Sequence, residues 1–151
     1  MTAIAPRPVR KAAKMHVVPE RKQLAALCWR PVPGGDREIL LVTSSNGRWI
    51  LPKGWPMDGK SNSRAARIEA WEEAGVARAK VTRKPLGRFI GSKVTLQGDE
   101  VPCLTQVYAM RVAETADDWP EREKRARRWV AVEEAAEIVT EDGLRDILRK
   151  F

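Results

Sequence analysis

A chain of 151 residues, 43% hydrophobic and 32% charged, is long enough to bury a core and too apolar to be disordered throughout. It has no run of about 18 apolar residues, which excludes a membrane-spanning helix, and near Met1 it lacks the apolar segment of a secretory leader. With only two cysteines, Cys28 and Cys103, a disulfide framework is not expected, and a reducing, cytoplasmic setting is.

The formal net charge of +8 is unevenly spread. Arg7, Arg10, Lys11, Lys14, Arg21 and Lys22 stand in the first 22 residues against Glu20 alone. With Pro6, Pro8 and Pro19 and no apolar period, residues 1–20 read as a basic arm in solvent, and residues 21–151 as a single folded domain. Such an arm can also touch RNA, DNA or another polyanion, an alternative that the rest of the composition does not favour.

From Lys22 the pattern changes. The apolar run 24–29 predicts a buried strand. Residues 31–36, holding Pro33-Gly34-Gly35, predict a turn, and 38–43 a second strand, so a hairpin is expected. Asn46-Gly47, a strong turn dipeptide, leads into a short strand over 48–51 that Pro52 stops. Residues 53–62 predict a loop with Gly54, Pro56 and Gly59. Residues 64–74, rich in Ala, Glu and Arg, predict a helix with Ser61 or Ser63 as N-cap and Gly75 as its left-handed stop. Strands are expected over 81–90 and 101–112, with a turn at Gln97-Gly98-Asp99. A charged loop opens at Asp117. Residues 128–132 predict a last strand, and 133–139 and 141–150 predict helices. Trp29, Trp49, Trp71 and Trp129 are expected in packing. The order of elements gives an α/β (α+β) chain with helices packed on a sheet.

Within the central helix Glu69, Glu72 and Glu73 stand at i, i+3 and i+4, which places them on one face. Like charges at that spacing cost about 0.2–0.5 kcal/mol per pair. They also lie near the negative end of the helix dipole, which adds roughly 0.3–1 kcal/mol at low salt. Spacing alone leaves two readings open: a solvated acidic face, or a site for a divalent cation that reverses these signs. Carboxylate oxygens are hard ligands and favour Mg²⁺ or Mn²⁺. No His or Cys at useful spacing supports zinc, and the single His16 lies in the arm.

The flanking residues decide between the readings. The segment from Gly54 to Val76 resembles the Nudix box, in which a Gly and a Glu precede an Arg-Glu pair, a Glu-Glu pair and a closing Gly. Gly54, Glu69, Glu72, Glu73, Gly75 and Val76 fall in register. Lys60 stands where the box has its first Glu, Ile68 where it has Arg, and Ala70 is a smaller aliphatic than usual. The missing arginine would orient the glutamates, and Arg64, one turn before residue 68, is a candidate substitute. Beyond the box, residues 26–30, 39–45, 48–54, Asp118-Trp119 and the basic run 125–129 are similar to the branch that includes diphosphoinositol polyphosphate and diadenosine polyphosphate phosphohydrolases.

The resemblance implies a Nudix-like α/β/α sandwich with a mixed sheet between helices. It implies a Mg²⁺-dependent pyrophosphohydrolase, with Mn²⁺ able to substitute, acting on a small polyphosphorylated substrate such as a diadenosine polyphosphate. Glu69, Glu72 and Glu73 would be catalytic and would bind the metal with the Gly54 carbonyl; Glu69 is the first candidate for base. Asp99 and Glu100 are candidates for a further acidic ligand. Arg21, Lys22, Arg48, Lys53, Arg125 and Arg127 are candidate phosphate cations, Ser44 and Ser45 candidate donors, and Trp55 a candidate platform for a base. Two alternatives remain: a hydrolase of the triphosphate end of RNA, motivated by the arm, and a nucleotide-binding module with weak catalysis, motivated by Lys60 and Ile68. A monomer or homodimer fits either.

Overall fold

The computed structural model describes residues 19–151; most of the expected arm, with His16, lies outside the described residues. The elements, in chain order, are β1 (Lys22–Pro31), β2 (Arg37–Thr43), β3 (Trp49–Ile50), β4 (Lys53–Gly54), α1 (Asn62–Ala74), β5 (Val76–Val81), β6 (Gly87–Val94), β7 (Glu100–Thr115), β8 (Arg127–Ala131), α2 (Val132–Ile138) and α3 (Asp142–Lys150).

The strands form one mixed sheet. At its centre β1 and β7 run parallel, Lys22 opposite Leu104 through Trp29 opposite Arg111. The other pairings are antiparallel. β7 is long enough to take two partners on its far edge: β6 along Glu100–Val107 and β5 along Met110–Thr115. β1 divides its other edge in the same way, with β4 at Leu24 and Ala25 and β2 at Trp29–Pro31.

Alternation along β1 builds both cores. Leu24, Ala26 and Cys28 face α1, where they meet Ala65, Ala66, Ala70 and Ala74. Ala25 and Leu27 face the opposite layer, where Ala135, Ala136, Leu144 and Leu148 of α2 and α3 cover them. The result is the expected α/β/α sandwich with a mixed sheet between helices. Small alanines on α1 let its backbone lie close to the sheet, and that closeness sets the depth of the glutamates beside them.

Four local expectations need correction. Residues 53–62 are not all loop, because Lys53 and Gly54 pair with β1. The expected strand over 81–90 is the end of β5, a turn and the start of β6. Pro85 lacks the amide hydrogen that a continuous strand would need, while Val76 enters β5 directly after Gly75. Trp71 is not core but 37% exposed. The buried face of α1 runs through Ala66, Glu69, Ala70, Glu73 and Ala74, and residue 71 falls off it. The helix itself starts at Asn62, capped by the Ser61 hydroxyl, which accepts from Arg64 N at 3.3 Å. Among the described residues no helix is long and apolar enough to cross a membrane.

Candidate active site

Gly54 and α1 define the floor of the site. Pairing of β4 with β1 brings Gly54 under the helix, with the Glu69 carboxylate against its Cα; a Cβ there would overlap Glu69. Glu69 and Glu73 are both buried, and Glu72 is half-buried. Glu73 is held at both oxygens: Oε1 accepts from the Lys53 amide at 3.2 Å, and Oε2 lies 3.4 Å from an Arg125 guanidinium nitrogen.

Burial raises the pKa of Glu69 to about 7, and the charges of Glu73, Glu72 and Glu121 push the same way. Burial also raises Glu73 to about 7, against the opposing pull of Arg125 and the Lys53 amide. Two carboxyls so arranged resist ionisation together unless a cation joins them.

The last turn of α1 is covered by the segment between β7 and β8. Gly75, in the left-handed region at φ 69°, donates from its N–H to Trp71 O at 3.0 Å. Glu121 N donates to Glu72 O at 3.0 Å, the Trp119 indole N–H to Glu73 O at 3.1 Å, and Arg127 to Ala74 O at 2.9 Å. The Arg127 guanidinium also lies 3.9 Å over the Trp119 ring, and its burial lowers its pKa. Four terminal carbonyls that would repel nearby carboxylates are thereby satisfied.

Beside Glu73 opens a cavity of about 80 Å³, whose walls include Gln23, Ser44, Ser45, Arg48, Lys53 and Arg125. Ser92, Lys93 and Glu141 close its far side. Lys53 donates from Nζ to Ser92 O at 3.1 Å; burial lowers its pKa, and Glu141 partly restores it. Glu141 also accepts from Ser92 N at 3.2 Å.

The candidates named from sequence therefore separate. Ser45, Arg48, Lys53 and Arg125 share the cavity with Glu73. Trp55, 44% exposed, is free to stack. Arg127 is engaged with the helix terminus instead. Lys22 lines a neighbouring cavity with Asn62 and Arg88, and Arg21 is exposed and donates no side-chain bond among those described. Arg64 does not replace the missing box arginine: it lines a pocket with Arg67 and Arg83, while Arg67 donates to Val76 O at 2.9 Å. Arg125 pairs with Glu73 in its stead. Glu100 is turned to Arg48, 2.9 Å away, and Asp99 donates its amide to Thr95 in a hairpin turn. The acidic group that joins the cluster is Glu121, which sequence reasoning missed, together with Gln23, Lys93 and Glu141. Its one legible signal was its position four residues before Arg125, the spacing of an ion pair on a helical turn.

Among the described residues, no three His, Cys, Asp or Glu groups are gathered as a preformed metal cage. The donors nevertheless suit a hard cation: two buried carboxylates with raised pKa values, one of them packed against a glycine where a Cβ would collide with it. Mg²⁺ is typically held by one or two carboxylates, with water and substrate oxygens completing its shell.

Fold and site together describe an α/β/α sandwich with buried carboxylates at the end of its central helix and a cationic cavity beside them. The chain belongs to the Nudix family, whose domain model matches residues 21–151. It is 37% identical over 118 residues to Nudix hydrolase 12, mitochondrial, of Arabidopsis thaliana, covering 76% of this chain and 58% of that protein. It is 35% identical over 123 residues to human diphosphoinositol polyphosphate phosphohydrolase 3-alpha, covering 79% and 69%. The chain spans less than two thirds of the first relative and 63% of a second, Nudix hydrolase 16, mitochondrial, of Arabidopsis thaliana. Among solved structures, a C. elegans Ap4A hydrolase binary complex superposes with a TM-score of 0.63 at 21% identity, covering 87% of this chain and 94% of that one, a likeness of fold.

Proposed function

We propose that this protein hydrolyses a phosphoanhydride bond in a small polyphosphorylated molecule with Mg²⁺ bound at Glu69, Glu72, Glu73 and the Gly54 carbonyl. The observation that carries the reading is the pair of buried carboxylates, Glu69 against Gly54 and Glu73 in the wall of a cavity that also holds Arg48, Lys53 and Arg125. Family membership supports it. When bound, Mg²⁺ neutralises phosphate charge and lowers the pKa of coordinated water.

The chain's own residues divide the remaining work. Arg48, Lys53 and Arg125 bind non-bridging phosphate oxygens. Ser45 supplies a hydroxyl donor. Glu69, whose pKa of about 7 leaves an ionised fraction near neutral pH, takes in that form the proton of the attacking water. The new P–O bond forms from water oxygen as the bridging P–O bond breaks, and the electron pair leaves on the departing phosphate. A cavity of about 80 Å³ takes phosphoryl groups rather than a nucleobase, so a nucleoside would lie outside it, where the exposed Trp55 is the candidate to stack on the base.

Diadenosine polyphosphates are our first substrate class, and the human relative's name adds diphosphoinositol polyphosphates as the second. Both are dense in phosphate, as the cations require. A reducing compartment such as the cytoplasm suits Cys28 and Cys103, which are free and buried. The test is a substrate panel with and without Mg²⁺, comparing wild type with Glu73→Gln. Metal-dependent release of phosphate products by wild type, lost in the variant, is expected. Equal rates in the two proteins, or binding without turnover at saturating Mg²⁺, would sink the reading.

A further inference from the structure

Residues 74–98 hold Arg78, Lys80, Arg83, Lys84, Arg88 and Lys93 and no carboxylate. The first four fall on β5 and in the turn after it. β5 is an edge strand that pairs only with β7. Two cavities border it. One, of about 650 Å³, lies against the start of α1 and is lined by Arg64, Arg67 and Arg83. The other, of about 590 Å³, reaches the end of β1 and the second half of β7 and is lined by Arg30, Arg78, Lys80 and Arg111. No Asp or Glu lines either cavity.

This grouping costs stability. Lys80 stands directly opposite Arg111 in the β5–β7 ladder, and like charges so placed destabilise a sheet. Arg64 and Arg67, three residues apart on α1, repel in the same way. Arg30 and Arg78 have carboxylate partners in Glu38 and Glu114. Among the described residues, no carboxylate lies within ion-pair distance of Arg64, Arg67, Lys80, Arg83 or Arg111. Charge along an edge strand also blocks pairing with other chains, but that purpose needs only β5. It leaves unexplained the arginines of α1, and Arg111 on an inner strand.

We propose that this surface binds a single-stranded nucleic acid through its phosphates, at a site separate from the hydrolytic centre. All the lining cations but Lys80 are arginines, whose planar forks fit phosphate oxygens. No tryptophan or phenylalanine lines either cavity, so contacts fall on the backbone and the bases are not read. A ligand that reaches both hollows is extended and bends with the surface. A single strand does so, whereas a duplex, stiff over about 150 base pairs, resists. A bilayer-binding surface pairs its cations with exposed apolar side chains that insert, and neither cavity is lined by a large one. Arg30 lies roughly 20 Å along β1 from Gln23, which borders the cavity beside Glu73, so the two sites are independent.

Labelled oligo(U) and oligo(dT) of about 12 nucleotides are the probes, titrated by fluorescence anisotropy with the full chain. Both should bind alike, and log affinity should fall with log salt by about 0.7 per phosphate contact. Lys80→Glu/Arg83→Glu should weaken both by about tenfold or more at ~0.1 M salt and lower the slope by about 1.4. Arg122→Glu/Lys150→Glu makes the same change in net charge elsewhere and should stay within about twofold of wild type. Lys80→Glu alone faces Arg111 and should melt no lower than wild type. Hydrolysis of a small phosphoanhydride should be equal in wild type and Lys80→Glu/Arg83→Glu. Absence of hydrolysis in both would sink the proposed function and leave the binding result to be read by itself.

Equal loss of binding in the two double variants would overturn the site, because net charge alone would then set affinity. Wild-type affinity in Lys80→Glu/Arg83→Glu would do the same. So would tighter binding of a duplex of equal length, or retention on phosphatidylserine vesicles without oligonucleotide binding. If the double variant does not fold, Arg83→Ala, in an exposed turn, carries the test, and affinity unchanged from wild type overturns the inference.

Discussion

A guanidinium nitrogen of Arg125 lies 3.4 Å from Glu73 Oε2, in a pair whose side chains are only 19% and 7% exposed. The same arginine donates from Nε to Glu121 at 2.8 Å and from a terminal guanidinium nitrogen to the Thr43 carbonyl at 2.8 Å, so its plane is fixed from three directions. It thus supplies from another part of the chain the positive charge that Ile68 cannot supply from the helix.

Arg125→Ala should therefore lower kcat/KM by about 100-fold and weaken Mg²⁺ binding, because Glu73 loses its orienting partner. Arg125→Lys should recover little, since one ammonium cannot span Glu73, Glu121 and the Thr43 carbonyl. Steady-state kinetics across a Mg²⁺ titration would check this; full activity in Arg125→Lys would show that charge alone suffices.

Gly54→Ala puts a methyl group where Glu69 packs. Activity and the stabilisation given by Mg²⁺ should both collapse, while far-UV circular dichroism stays native. An active Gly54→Ala protein would mean that Glu69 can leave the site freely.

The buried carboxylates hold the metal-free protein below its attainable stability. Glu69→Gln removes one of two mutually repelling charges and should raise the metal-free midpoint by roughly 2–4 °C per kcal/mol recovered. It should at the same time abolish the upward shift expected on adding Mg²⁺ to wild type. Differential scanning calorimetry with chelator and with Mg²⁺ reads both effects.

Gly75→Ala should destabilise the fold by roughly 1–3 kcal/mol. Its φ is 69°, and a Cβ would stand 2.9 Å from Trp119 and 2.6 Å from Arg127. Arg127→Ala should cost about 1–2 kcal/mol through the Ala74 carbonyl it leaves uncovered. Urea unfolding measures both, and the second should leave KM nearly unchanged.

Burial pushes the Cys28 thiol from its ordinary 9.0 up to about 12. Below about pH 9 the folded and unfolded forms both keep the proton, and the stabilisation is complete. As pH rises from 9 toward 12 the unfolded chain releases it first, and stability falls, approaching about 1.4 kcal/mol per pH unit. The slope of urea stability between pH 9 and 10 should flatten in Cys28→Ala. Alkylation of native Cys28 at pH 8 should be limited by unfolding.

The parts of the site that were legible in sequence are those within one element. Glu69, Glu72 and Glu73 could be placed on a common face from helical spacing, and Gly75 could be read as the stop because a left-handed residue is needed there. Gly54 was legible only through the family pattern; its physical reason, contact with Glu69, needs β4 paired with β1. The missed residues arrive from elsewhere in the chain. Glu121 reaches α1 through a loop that has no period to read, where only Asp118-Trp119 and the basic run stood out through the resemblance, and Gln23 looks like an ordinary strand glutamine until β7 surrounds it. Trp71 was misplaced for a related reason. Aromatic character suggests core, but the rotation of α1 is set by its alanines and by the glutamates themselves.

The parallel pairing of β1 with β7 also sets an order of events during synthesis. β1 emerges early, and the partner for its longest edge comes only after α1, β5 and β6 have been made. Until then the apolar residues of β1 and the carboxylate helix have no completed sheet to rest on. The proposed site is therefore among the last features to appear in the growing chain, and a nascent fragment ending before β7 would expose a sticky strand and an incomplete site.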